Sequence, residues 1–280
     1  MIVPVQQDDA LLADILGADR ESLHLWWLGQ SGFLVRWRDR SLIFDPYLSD
    51  SLTRKYEKTD KPHTRMTGRV IAPERLGPVQ VATSSHNHTD HLDAETLGAL
   101  WLTNPEMKLV LPAANIPFAA DRLGVTPEKF AGLDDGSCVE VAGFTFQGVP
   151  AAHNAVERDA QGRCLYMGFI VQVGPWTIYH SGDTLLYDGM RERLGQFSID
   201  VALLPINGNL PERRVAGNLD GKEAAELAHA IGAGVVVPCH YEMFEFNTAT
   251  PELFVETCGR LGQAHRVLRA GERMTLPVLQ

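Results

Sequence analysis

Apolar and polar positions along this chain fall into short blocks whose spacing switches repeatedly between a two-residue and a helical period, as in an α/β protein. Residues 8–17 begin with paired aspartates and stop at Gly17, which predicts a short helix. Two or three strands follow over Leu23–Leu28, Phe33–Trp37 and Leu42–Phe44, separated by Gly29, Gly32 and the charged turn Arg38-Asp39-Arg40. Residues 49–78 show no clear period and read as one long connection, after which comes the apolar run Val79-Gln80-Val81-Ala82. Helical spacing predicts helices over Leu92–Leu102 and Ile116–Leu123, with a strand at Lys108–Leu111 between them. Further strands are predicted at Cys138–Val141, Phe144–Val149, Tyr166–Val173, Trp176–His180, Val201–Leu204 and Val235–Val237. Helices are predicted over 188–194, 221–231 and 251–261, and short strands near Val267–Leu268 and Met274–Leu276 close the chain.

Composition narrows the class. At 280 residues the chain can bury a substantial core, and 45% hydrophobic with 21% charged residues is ordinary for a soluble globular protein. A formal net charge of −10 argues against a general nucleic-acid binder. The first nine residues lack a basic segment and a long apolar core, so no signal peptide is expected, and no stretch reaches the apolar length of a membrane span. Cys138, Cys164, Cys239 and Cys258 are widely spaced with no C-x-x-C pair, which suits free thiols in a reducing cytoplasm. Residues 49–78 invert the overall balance, with seven basic residues against four acidic ones. A positive insert in a negative protein suits capture of a phosphate or carboxylate, although a solvated loop has the same composition.

The densest chemistry lies in Thr83-Ser84-Ser85-His86-Asn87-His88-Thr89-Asp90-His91. His86 and His88 are two apart, so an extended backbone projects both to one side, while Asp90 and His91 need a turn. Imidazole nitrogens and carboxylate oxygens are the ligands of zinc-like ions. Predicted strands end repeatedly in such residues: Asp45, His86, His153, Asp183 and His240. Counting donors assigns His86, His88 and His153 to one ion and Asp90, His91 and His240 to a second, with Asp183 between them. Asp45 either orients a metal-bound histidine or starts an Asp-Pro turn, and Asp183 competes with an ordinary turn or helix cap. His180 reads as a donor behind the ligands and His63 as a substrate contact. His24, His229 and His265 read as structural or surface.

With these residues in place, the chain resembles the metallo-β-lactamase superfamily: the motif over 86–91, His153, Asp183 and His240 occur in the order that superfamily uses. The resemblance covers nearly the whole chain. It implies a single α/β domain over residues 1–280, a four-layer αββα sandwich of two mixed sheets flanked by helices, with the basic insert 49–78 over the site. Trp26-Trp27-Leu28-Gly29, Arg65-Met66-Thr67-Gly68, Tyr179-His180-Ser181-Gly182-Asp183, Ile199-Asp200-Val201-Ala202-Leu203 and Val236-Val237-Pro238-Cys239-His240 are similar to the branch containing the L-ascorbate-6-phosphate lactonase. The flavodiiron branch carries Glu where His88 stands, and the zinc β-lactamases of the type branch lack the pattern around Asp90-His91.

The expected function is hydrolysis of a small anionic lactone or ester by water activated between two divalent ions, zinc or manganese with iron also admitted. Asp90 is expected to orient that water and take its proton, and Asp45 and His180 to hold the ligands. Expected substrate contacts are His63, Arg65, Asn154, Asn207 and Tyr241. The alternatives are a phosphodiesterase of the same superfamily and a non-catalytic metal-binding module. The expected partner is a small molecule, with no nucleic acid or membrane and with a homo-oligomer left open.

Overall fold

The computed structural model describes residues 1–277. After helix α1 (Asp8–Gly17), strands β1 (Leu23–Gly29), β2 (Gly32–Trp37) and β3 (Arg40–Phe44) form an antiparallel meander. Strands β4 (Val81–Thr83), β5 (Lys108–Pro112) and β6 (Phe130–Leu133) then add in parallel beside β3. The C-terminal strand β13 (Arg273–Leu276) pairs antiparallel with β1 and completes a seven-stranded sheet. The second sheet has six strands. Strands β7 (Cys138–Val141), β8 (Phe144–Pro150), β9 (Met167–Val173) and β10 (Trp176–His180) run antiparallel, then β11 (Val201–Pro205) and β12 (Val235–Cys239) follow in parallel.

The two-residue period of β1 explains the layering. Leu25 and Trp27 face the second sheet and join a core that includes Phe33, Phe44, Phe146, Phe169 and Ile178. Trp26 and Leu28 face the other way, into a second core with Leu11 and Ile15 of α1, Leu97 and Leu100 of α3 (Ala94–Thr103) and Ala119 of α4 (Ile116–Leu123). On the far side of the second sheet, α6 (Gly221–Ala230) and α7 (Glu252–Leu261) contribute Ala224, Leu227 and Phe254. The αββα order therefore follows from strands that are apolar on both faces. Among the described residues, no helix is long and apolar enough to cross a membrane.

Several sequence expectations shift. The connection over 49–78 holds a short helix, α2 (Ser51–Tyr56), and a single 3-10 turn at Pro73–Arg75. Strand β6 went unpredicted because Gly132 interrupts four residues that gain strand geometry only by pairing with β5. Val267–Leu268 is not a strand; one isolated bridge joins Val236 to His265 instead. The helix predicted over 188–194 is the shorter α5 (Met190–Leu194), since Gly189 enters at φ 83°. His86 lies three residues beyond the end of β4, on the following loop.

Candidate metal centre

Strands β3, β4, β10, β11 and β12 all release their chains at one end of the sandwich, the carboxyl end of the parallel strands, where α/β sheets build their sites. Asp45 follows β3, the His86–His91 loop follows β4, Asp183 follows β10 and His240 follows β12. Asp45 and His240 sit at φ 34° and 60°, in the region that non-glycine residues rarely adopt. Gly182, at φ 60°, has a separate reason: a Cβ there would lie 2.6 Å from the Ser85 Cβ and 2.9 Å from the Met167 carbonyl. The Asp183 turn and the histidine loop thus pack directly on one another.

The histidines and carboxylates named from the sequence converge. Three overlapping groups, His86/His88/His153, His86/His91/Asp183 and Asp90/His91/His240, each place their ligand atoms within 4.8 Å of one another. Asp183 joins them: Oδ2 lies 3.1 Å from His240 Nε2 and 3.7 Å from His153 Nε2, and Oδ1 lies 3.4 Å from His91 Nε2. The outer nitrogens are engaged by the fold. His91 Nδ1 donates to Asp45 Oδ2 at 2.7 Å and His153 Nδ1 donates to the Gly217 carbonyl at 2.9 Å, which leaves each Nε2 facing inward. Among the described residues, His86 Nε2, His91 Nε2 and Asp183 Oδ1 are buried and make no hydrogen bond. Buried polar atoms left unpaired are costly, and a cation among them satisfies all three. The residues therefore fit a divalent metal centre.

Charge in this cluster is strongly coupled. Burial pushes His86 well below the ordinary imidazole range, and neighbouring His91, His88 and His153 push it further. Burial also opposes charge on His91 and His240, yet Asp183 and Asp90 outweigh it. His91 is held well above the usual range and His240 rises to about 9. Burial would raise Asp183 and Asp90, but facing His240 and His91 they are held well below the carboxylate range. In the metal-free protein, His240 therefore stabilises the fold as a cation below the ordinary imidazole pKa, and that contribution fades as pH rises through about 9. A metal ion held through His240 would have to displace that proton. Metal affinity is expected to rise about tenfold per pH unit for each proton displaced, up to about pH 9. Calorimetric titration in buffers of different ionisation enthalpy measures the protons released; a value of zero at pH 7 contradicts this assignment.

Beneath the cluster, Asp45 accepts hydrogen bonds from His91 Nδ1, from Thr83 Oγ1 at 2.6 Å and from Ser85 Oγ at 2.5 Å. It thus orients a candidate ligand, and the Asp-Pro turn alternative does not explain its position. His180 touches no ligand side chain. Its Nε2 donates to the Ser31 carbonyl at 2.9 Å, its Nδ1 accepts from the Gly182 amide at 3.2 Å, and its ring stacks on Phe44 at 4.8 Å. It braces the turn that presents Asp183.

A cavity of about 330 Å³ opens over the cluster, with His88, Asp90, His153, Asp183 and His240 at its base. The insert supplies one wall through Lys55, Tyr56, Lys61 and His63. Of the expected substrate contacts, only His63 lines this cavity, stacked on Tyr56 at 4.3 Å. Arg65 turns away, bound to Asp50 at 2.8 Å and to the Ser49 carbonyl. Asn154 is exposed and outside the cavity lining. Asn207 is buried, bridging Asn247 at 3.0 Å and Asn218 at 3.1 Å. Tyr241 donates to the Leu268 carbonyl at 2.7 Å and stacks on Trp27 at 4.6 Å in the core. Residues that were missed include Tyr56, Arg122, Phe246 and Asn247, all in the lining. Nothing in their local sequence marked them: Tyr56 ends α2, Arg122 lies in α4, and Phe246 and Asn247 come from a loop.

The model of the beta-lactamase superfamily domain matches residues 24–240, from the first strand through the last candidate ligand. The chain belongs to the metallo-β-lactamase superfamily. A metal-dependent hydrolase of Methanosarcina mazei is 30% identical over 237 residues, spanning 83% of this chain and 89% of that protein. Among solved structures, the metallo hydrolase Igni18 of Ignicoccus hospitalis superposes with a TM-score of 0.68 at 23% identity, covering 92% of this chain and 100% of the other. CmlA, a diiron β-hydroxylase of Streptomyces venezuelae, reaches 0.68 at 16% identity over 93% of this chain and 55% of its own. The fold thus carries more than one chemistry, and the site must decide among them. With its curated relatives, this member of the superfamily is a metal-dependent hydrolase.

Proposed function

We propose that this enzyme hydrolyses a small anionic lactone or ester, using two divalent ions, zinc or manganese with iron also compatible with the donors. The observation that carries the reading is one cavity whose base holds the His/Asp groups and whose wall holds Lys55, Lys61 and His63. His86, His88 and His153 would hold one ion, Asp90, His91 and His240 the other, with Asp183 shared. Metal ions bound there supply acidity for the attacking water and polarise the oxygen on which charge develops. Asp90, half-buried at the cavity base and held by a hydrogen bond from Gln30 Nε2 at 2.8 Å, orients the water and accepts its proton. Lys55 and Lys61 attract and seat the substrate's anionic group, and His63 packs beside it against Tyr56. Four free cysteines suit a reducing compartment, and the cytoplasm is the proposed location.

The same basic wall also suits a phosphodiester, so the test runs both chemistries side by side. Protein reloaded with zinc or manganese is assayed on a panel of lactones and carboxylic esters, with and without a phosphate or carboxylate tail, and on bis-p-nitrophenyl phosphate. Turnover confined to the phosphodiester overturns the lactone reading. Tight metal binding with no turnover on the whole panel favours a non-catalytic module. Replacing Lys55 and Lys61 together with alanine is expected to raise KM about tenfold for anionic substrates, with kcat and neutral esters little affected, as for loss of two solvent-exposed charge contacts.

A further inference from the structure

The turn between β1 and β2 is built from Gly29-Gln30-Ser31-Gly32, with Gly29 paired to Gly32 across the hairpin. Gln30 adopts φ 50°, a conformation that glycine takes without strain and a larger residue does not. A glutamine held there, 1% exposed, needs a reason. Its main chain has one: the Gln30 carbonyl accepts from the His240 amide at 2.9 Å and from Trp27 Nε1 at 3.0 Å. Those bonds survive any substitution. The side chain is a separate matter. Its amide nitrogen lies 2.8 Å from Asp90 Oδ2 and 3.0 Å from His240 Nε2, atoms that are themselves 3.6 Å apart. Its carbonyl oxygen, Oε1, is buried and meets no partner. The carboxamide's hydrogen bond therefore goes to a candidate ligand, Asp90, while its nitrogen packs against the Nε2 edge of a second, His240.

We infer that Gln30 is a positioning residue for the second metal ion, its amide donating to Asp90 Oδ2 and so fixing the orientation of that carboxylate in the Asp90/His91/His240 group. Being neutral, it aims the carboxylate without competing for charge. It reaches Asp90, on the loop after β4 of its own sheet, across 60 residues of sequence, and His240, at the end of β12 in the other sheet, across 210. The hairpin thereby links the first sheet to the strand ends of the second, where the neighbouring Ser31 carbonyl also receives His180. The inference rests on the two-ion reading.

The test is stepwise zinc titration of metal-stripped protein against a chelating dye, on wild type, Gln30→Gly and Gln30→Leu, with circular dichroism to verify folding. Gln30→Gly suits the φ of 50° and keeps the main-chain bonds, so it is expected to fold at least as well as wild type. Both variants are expected to bind the first ion unchanged and the second about 10- to 100-fold more weakly, the usual cost of losing a partner behind a metal ligand. Two ions bound with wild-type affinity in folded Gln30→Gly overturns the role of Gln30 and leaves the two-ion reading standing. One ion per wild-type chain overturns both.

Discussion

Asp183→Ala is expected to reduce turnover by about 10³-fold or more and to lower metal content together with it, because polarisation by a bound metal is worth several kcal/mol and each ~1.4 kcal/mol is tenfold in rate. Asp183 is 3% exposed, and its two oxygens face His91, His153 and His240 at 3.1 to 3.7 Å. No other carboxylate in the cluster reaches both histidine groups. Its removal leaves His86, His88 and His153 facing one another without an anion and His91 and His240 with Asp90 as their remaining carboxylate in the cluster, so ions should be lost from both groups and not from one. Because its removal also takes the counter-charge from buried His91 and His240 in the metal-free protein, circular dichroism is run alongside to verify that the variant is folded. Elemental analysis after exhaustive dialysis, with kcat/KM on whichever ester or phosphodiester the wild type turns over, checks both halves. An Asp183→Ala protein that keeps two ions and wild-type turnover removes this carboxylate from the site.

The second large effect falls on stability. Asp45→Ala is expected to destabilise the fold by about 3–5 kcal/mol, the cost of breaking a buried ion pair from one side, and so to lower Tm by roughly 10 °C. Asp45 is fully buried and receives His91, Thr83 and Ser85 at once. Burial alone would raise its pKa, but the hydrogen bond from His91, the charges of His180 and His91, and the bond from Ser85 bring it below the ordinary carboxyl value. A depressed carboxyl stabilises the fold above its unfolded pKa and loses that contribution as pH falls through the folded value. Wild type should therefore lose stability more steeply than Asp45→Ala on acidification below about pH 4. Asp45→Asn is expected to lose much of the same stabilisation, since a neutral amide cannot pair with protonated His91 and offers one acceptor oxygen where the carboxylate offers two. Urea unfolding at pH 3 to 7 measures both the offset and the slope. Equal stability of wild type and Asp45→Ala at pH 7 contradicts the account.

Much of the centre was legible locally. His86, His88, Asp90 and His91 lie within six residues, so their chemistry shows as a motif before any fold is known. His153, Asp183 and His240 were legible because each follows a run of strand-forming residues, and sheets of this class release their site residues at strand ends. Adjacency along the chain misled elsewhere. Asn154 and Tyr241 stand beside candidate ligands in the sequence, yet successive side chains point in different directions. Next to His153, Asn154 faces solvent, while Tyr241 turns from His240 into the core against Trp27. Arg65 shows the same limit for charge: a basic residue in a basic insert spends its guanidinium on Asp50 and the Ser49 carbonyl.

Gln30 marks the boundary most sharply. Between Gly29 and Ser31 it reads as an ordinary turn residue, and only the pairing of β1–β4 brings its amide to Asp90 and only the packing of the second sheet brings His240 beside it. The sequence by itself determined the candidate ligand types, their grouping around His86–His91 and the alternation of apolar faces that makes two sheets. Those are properties of side-chain chemistry and of two-residue and helical periods, both readable over a few positions. The tertiary structure alone decided that Asp45 braces His91, that Asp183 joins two groups of histidines and that Lys55, Lys61 and His63 wall the cavity. Those relations depend on distances between segments far apart in sequence, which no local pattern specifies and which the packing of the sandwich sets.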